Sequence, residues 1–168
     1  MTEKTTISEK IVLLKRIELF ESLSVGELAA IASVAEEVDY PAGEIIIKEG
    51  DAGDTLFLMV SGEVSVIKDL GEINEIEIDR MTDGEYFGEM ALFEDTVRSV
   101  SIRTEKPSAF MVLHKQEFKE IVREYPQIAL EICKILSRRI RHLHRKIEDR
   151  DYCKENISET QSPSLNAK

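Results

Sequence analysis

The sequence predicts an α+β protein, an antiparallel β sandwich or barrel with helices before and after it. Three observations predict this. Six short β-rich runs closed by turn residues fill the middle of the 168-residue chain. Apolar residues three and four apart, the helical period, mark the segments on either side. No helical pattern alternates with the strands, so a βαβ sheet is not indicated.

The elements follow in order. "SEKIVLLKRIELF" places Ile11, Leu14 and Ile17 on one helical face. "SVGELAAIASVAEEV" opens with Ser24 and Glu27 at capping-box spacing and continues with Leu28, Ile31 and Val34. Residues 1–36 are therefore read as two N-terminal helices. From Val38 the texture becomes β-rich: "EIIIKEG", "TLFLMVSG", "EVSVIKDLG", "EIEIDRM", "RSVSIRT" and "SAFMVLH", with "PAGE", "EGDAGD" and "SGE" as turns. This gives a β-roll over 37–115. Helix returns over 116–150, first in "KQEFKEIVREYP" and then from Gln127 to about Asp149. In that last segment Ile132, Leu136, Ile140, Leu143 and Ile147 form one seam. The polar tail 151–168 is expected to be disordered.

Composition narrows the functional classes. Hydrophobic residues make up 42% and charged residues 33%, ordinary for a globular domain, and the net charge is -11. So acidic a surface disfavours non-specific binding to nucleic acid or anionic membranes, without forbidding a local anion site. Cys133 and Cys153 form no CxxC pair, the start "MTEKTTISEK" lacks a signal-peptide core, and no apolar run is long enough to span a membrane. A reducing, cytoplasmic setting is expected. His114, His142 and His144 do not form a metal set, and no nucleophile–base pair is visible, so neither a metal nor an enzymatic activity is expected. Phe20, Phe57, Phe93 and Phe110 are read as core residues.

One stretch breaks the strand texture: "DGEYFGEMALFEDTVRS", ending at Ser99. "GEMAL" suits a single helical turn whose first N–H groups converge on one spot, a ready anion site. Gly88 would let the backbone approach that anion, and Arg98 would add a planar, doubly donating partner for a phosphate. Glu89 suits a vicinal hydroxyl such as that of a ribose. Anion, cation and hydroxyl-seeking acid together point to a nucleotide with one phosphate charge. The bland alternative is a Glu89–Arg98 ion pair that only closes the loop.

The run "FGEMALFEDTVRS" resembles the phosphate-binding cassette of the cyclic-nucleotide-binding domain family, which includes catabolite activator proteins, protein kinase A regulatory subunits and cyclic-nucleotide-gated channels. The family pattern, F-G-E-x-A-L, a spacer, then R-[ST/A]-A, is met by Phe87, Gly88, Glu89, Ala91, Leu92, Arg98 and Ser99. The resemblance covers roughly Leu19 to Ile147. It implies an antiparallel β jelly-roll (double-stranded β-helix) barrel, flanked by N-terminal helices and a long C-terminal helix, with its cassette at 84–100. It further implies that Glu89 binds the ribose 2′-OH and Arg98 the cyclic phosphate. Backbone N–H groups of Met90 and Ala91, with Ser99, would complete the cradle, and the last helix would cover the base. Val97 stands where proline is frequent and Val100 where alanine is usual. Ser99, where threonine often accompanies cGMP, favours cAMP.

The resemblance frames the partners. Only 18 residues follow Arg150, too few and too polar for a DNA-reading domain, so no DNA and no membrane partner is expected. Lys134, Arg138, Arg139, Arg141, Arg145, Lys146 and Arg150 outnumber Glu148 and Asp149 along the final helix, mostly a solvated face. The seam on its other side fits a lid on the barrel or a homodimer through the helix. The expectation is a stand-alone sensor, or a piece of a larger protein, that acts on an unidentified partner protein. A ligand-independent interaction module of the same fold is the alternative.

Overall fold

The computed structural model describes residues 5–159, and of these all side chains except those of residue 143 and residues 146–159. The chain divides into two units, Met1–Ile132 and Cys133–Lys168. The first holds both sheets and the shorter helices.

Helix α1 (Ile7–Arg16) starts at a capping box the sequence reading had not marked, with Thr6 and Glu9 exchanging hydrogen bonds. The box expected for α2 (Val25–Val34) is formed: the Ser24 N–H donates to Glu27 at 2.7 Å and the Glu27 N–H returns to Ser24 Oγ at 3.4 Å. Each box satisfies two N–H groups that helix geometry leaves without partners.

Among the described residues eight strands follow rather than six: β1 (Glu36–Tyr40), β2 (Ile45–Ile47), β3 (Thr55–Ser61), β4 (Glu63–Lys68), β5 (Ile76–Thr82), β6 (Tyr86–Phe87), β7 (Ser101–Thr104) and β8 (Ser108–His114). The two additional ones have physical reasons for escaping a pattern search. Strand β1, "EEVDY", is charged and largely exposed, and it is extended only because β8 pairs with it. Strand β6 is two residues long.

All the pairings are antiparallel. They make two four-stranded sheets, in the orders β1-β8-β3-β6 and β2-β7-β4-β5. Among the described residues the two sheets lie over one core and no ladder joins them. The edge strands β2 and β6 span only three and two residues.

Both sheets feed one core: Ile47, Phe57, Met59, Val64, Val66, Met81, Phe87, Ile102, Phe110 and Val112. Phe57 stacks on Phe87 at 5.2 Å between centroids, and Phe110 meets both edge-on at 5.9 and 5.8 Å. In β3 and β8 the intervening Leu56, Leu58, Met111 and Leu113 are fully buried too. These strands therefore read as continuous apolar runs, the signature of a sheet covered on both faces.

Three helices complete the architecture: the single turn α3 (Met90–Phe93), α4 (Lys115–Glu124) and α5 (Gln127–Glu159). Helix continues through 151–159, where the sequence reading placed the start of a disordered tail. No proline or glycine interrupts this stretch, and an established helix extends at little cost per residue. Residues 160–168 lie outside the described residues, as do the seam side chains of Leu143 and Ile147 and the charged ones from Lys146 to Arg150. Of the rest of the seam, Ile132 is buried and Ile140 is more than half exposed.

Candidate functional site

The site is built around Arg98. It does not open the next strand, as its sequence position suggested, but sits in a loop three residues before β7. An isolated bridge between Ala52 and Val97 fixes that loop. The Arg98 N–H donates to Asp51 O at 2.8 Å, and the Arg98 carbonyl accepts from Gly50 N–H at 2.9 Å. The turn 50–52 thereby fixes the backbone of Arg98 before its side chain is considered.

Two glycines shape the channel for that side chain. A Cβ on Gly53 would fall 2.3 Å from Arg98 Nε, and one on Gly88 would fall 2.7 Å from both Arg98 Nη1 and Thr55 O. Gly88 also has φ 82°, a left-handed conformation that L side chains rarely adopt. The guanidinium thus lies against bare backbone on two sides. Nη2 donates to Thr55 O at 2.9 Å and Nη1 makes a long contact with Gly88 O at 3.5 Å. These contacts use only part of its five-donor fork.

Electrostatics make the arrangement informative. Burial pulls the Arg98 guanidinium below its ordinary pKa, while Asp54 and Glu89 pull it back up. An arginine starts so high that it stays charged at neutral pH. No carboxylate lies within ion-pair distance of it among the described residues. The Glu89–Arg98 pair, the bland alternative, is therefore not formed. A half-buried cation hydrogen-bonded only to neutral carbonyls, with Asp54 and Glu89 acting from a distance, keeps donors free for an anion.

The other sequence-predicted residues fall into distinct places. Glu89 is partly buried at the N-terminus of α3, and its carboxylate accepts no hydrogen bond from a described residue. Met90 is half exposed. Ala91 is buried, and its N–H already donates to Gly88 O at 3.2 Å, so that group is less available than expected. The Phe87 ring belongs to the core trio, and its contribution is to anchor β6, from which Gly88 and Glu89 emerge. The Ser99 side chain is exposed, while its carbonyl accepts from Lys68 Nζ at 3.2 Å. Lys68 is in turn paired with Glu49.

Sequence reasoning missed Gly53, Asp54 and Thr55. The "EGDAGD" run registered only as a turn, and its one usable signal was that a buried arginine needs acceptors from somewhere. Phe93, expected in the core, is 45% exposed and meets Phe118 of α4 edge-on at 5.8 Å. Among the described residues no group of three or more His, Cys, Asp or Glu is placed to hold a metal ion. No helix among them is long and apolar enough to cross a membrane.

Comparison with known proteins shows the family. The family model described as "Cyclic nucleotide-binding domain" matches residues 37–125, more than half of the chain and all of the Arg98 site. The chain belongs to the cyclic nucleotide-binding domain family. It is 37% identical over 109 residues to a cAMP-dependent protein kinase regulatory subunit of Emericella nidulans, covering 65% of this chain and 26% of that protein. It is 24% identical over 137 residues to a CRP-like cAMP-activated global transcriptional regulator of Mycobacterium tuberculosis, covering 82% of this chain and 61% of the regulator. A crystal structure of a cyclic nucleotide-binding domain from Methylobacillus flagellatus superposes with a TM-score of 0.71 at 26% identity, over 95% of this chain and 86% of that one. This chain thus spans only a part of each of the two curated relatives.

Proposed function

We propose that this cyclic nucleotide-binding domain is a sensor for cAMP that acts on a partner protein through its C-terminal helix. The observation that carries the reading is Arg98, half-buried, aligned by Thr55 and Gly88, and lacking a carboxylate partner in range among the described residues. A cyclic phosphate supplies one negative charge and oxygens for the free part of the guanidinium fork. The uncommitted Glu89 carboxylate accepts from the ribose 2′-OH, and the Met90 N–H adds a donor to the phosphate. Ser99 sets the preference for cAMP over cGMP. We read the two sheets as a jelly roll, with the turn 50–55 beside the cassette 84–100, a reading supported by the strand orders and the Ala52–Val97 bridge.

Signalling follows from a population shift. A ligand favours one conformation only by binding it more tightly than the other. In our reading the base engages α5 as a lid, and the helix then shows or hides its seam to a partner, a second copy included. The domain regulates rather than catalyses, without a metal, in the cytoplasm, and neither DNA nor membrane is its partner.

Thermal unfolding with excess cAMP, cGMP and AMP, on the wild type and Arg98→Leu, tests the reading. Binding to the folded state alone stabilises it by about 2.7 kcal/mol at a hundred times Kd, a shift of several degrees for a chain of this size. The expected result is stabilisation by cAMP, weaker by cGMP, absent with AMP and lost in Arg98→Leu. Indifference to all three nucleotides would replace the sensor with a ligand-independent interaction module. Salt-dependent DNA binding would overturn the assignment of partners.

A further inference from the structure

Lys115 opens α4, yet its side chain is only 12% exposed. An ammonium so placed needs acceptors. Nζ donates to Glu94 O at 2.9 Å and to Asp95 Oδ1 at 2.6 Å. Asp95 is itself almost fully exposed, so the carbonyl is the inner acceptor and the carboxylate the outer one. The backbone N–H of Lys115 donates to Asp54 O at 2.7 Å.

These bonds reach the two segments that define the Arg98 site. Asp54 precedes Thr55, whose carbonyl orients the guanidinium. Glu94 closes the single turn of α3 through Met90 O at 2.9 Å and begins the spacer that leads to Arg98 itself. One segment carries the acceptor and the other carries the arginine, and Lys115 bonds to both. Lys68, bound to Ser99 O, secures only the far flank of the loop.

We infer that Lys115 is a positioning residue for the phosphate site, holding the Asp54–Thr55 turn and the 94–97 spacer at the separation that aligns Arg98 with a cyclic phosphate. The functional part of this inference rests on the nucleotide-sensor reading above. Lys115 does not touch the ligand in this account. It works through Arg98, and a side chain that merely anchored the start of α4 would affect stability without affecting Arg98.

The test uses the full chain with Lys115→Met, Lys115→Arg, Asp95→Asn and Arg98→Lys, and the double variant Lys115→Met/Arg98→Lys. Cyclic AMP affinity is measured by titration calorimetry, and the Arg98 Nε–Hε signal by ¹H–¹⁵N NMR without nucleotide, assigned by its loss in Arg98→Lys. Lys115→Met is expected to raise Kd at least about tenfold and to shift or broaden the Arg98 signal, while Lys115→Arg stays within about threefold of wild type. Asp95→Asn should have a smaller effect in the same direction. In the Arg98→Lys background Lys115→Met should add little, because residues acting through one another are not additive. An unchanged Arg98 signal in Lys115→Met, or an additive double variant, overturns the inference. Should Lys115→Met fail to fold, Asp95→Asn decides, since an exposed carboxylate is dispensable for folding; an unchanged Kd and Arg98 signal there overturn it. If the wild type binds no cyclic nucleotide while the Arg98 signal still responds to Lys115→Met, the sensor reading falls and the positioning role stands.

Discussion

Arg98 shows how a charged side chain is held ready when carbonyl dipoles touch it and the nearest carboxylates, Asp54 and Glu89, act on it only from a distance. Thr55 and Gly88 carbonyls orient the guanidinium, and the missing Cβ atoms of Gly53 and Gly88 make room for it. Adding a single methyl group at either glycine therefore tests the arrangement. Gly53→Ala sets a carbon 2.3 Å from Nε, so the guanidinium must leave its channel. Gly88→Ala also forces a left-handed alanine, at roughly 1–2 kcal/mol, against the immobile Thr55 carbonyl. Both variants should lose cyclic nucleotide affinity by at least about tenfold, and Gly88→Ala should also lower the melting temperature by several degrees. Calorimetric titration beside a melting curve separates the two effects. Wild-type affinity in Gly53→Ala would show that the guanidinium does not need this channel.

Strands β3 and β8 are the elements that hold this residue-scale geometry in place, because both of their faces are covered. Phe110 is 1% exposed and meets Tyr40, Phe57 and Phe87. Phe110→Ala should destabilise by about 3–5 kcal/mol, the transfer term plus an uncollapsed cavity. Urea unfolding should report this as a lower midpoint with an unchanged slope; a loss under about 1 kcal/mol would mean the core repacks. The edge strand β5 contrasts with these two, since only Met81 along it is buried. Arg80 on that strand bonds Glu77 and Glu63, and Lys106 bonds Glu63 as well. Exposed pairs of this kind contribute little each and serve mainly to charge the edge.

Acid sensitivity belongs to the whole molecule. Hydrogen bonds from Ser24 hold Glu27 below its ordinary pKa of 4.5; Lys68 does this for Glu49, Lys106 and then Arg80 for Glu63, Arg80 for Glu77, and Lys115 for Asp95. Their folded pKa values lie below the unfolded ones. Their contribution is therefore complete above the ordinary carboxylate range and is lost as the pH falls through the folded values. The melting temperature should be nearly flat from about pH 7 to 5 and fall steadily from about pH 4.5 to 3. Thermal melts across that range check the sign, and a melting temperature that rises on acidification would refute it.

What the sequence determined by itself was whatever short-range pattern encodes. The capping box at Ser24–Glu27, the apolar face of α1, the turns, and the family resemblance carried by the run from Phe87 to Ser99 were legible because each depends on residues close in the chain. Strand β1 was not legible, because an exposed, charged strand exists only through its pairing with β8. Tertiary structure alone decided that the two sheets share a core, and that Phe87 is a core residue. It alone brought Thr55 to Arg98 across 43 positions, and Lys115 to Glu94 across 21. The physical reason is that periodicity and propensity act over a few residues. Which distant carbonyl meets a buried cation depends on how the strands stack once their apolar faces leave water.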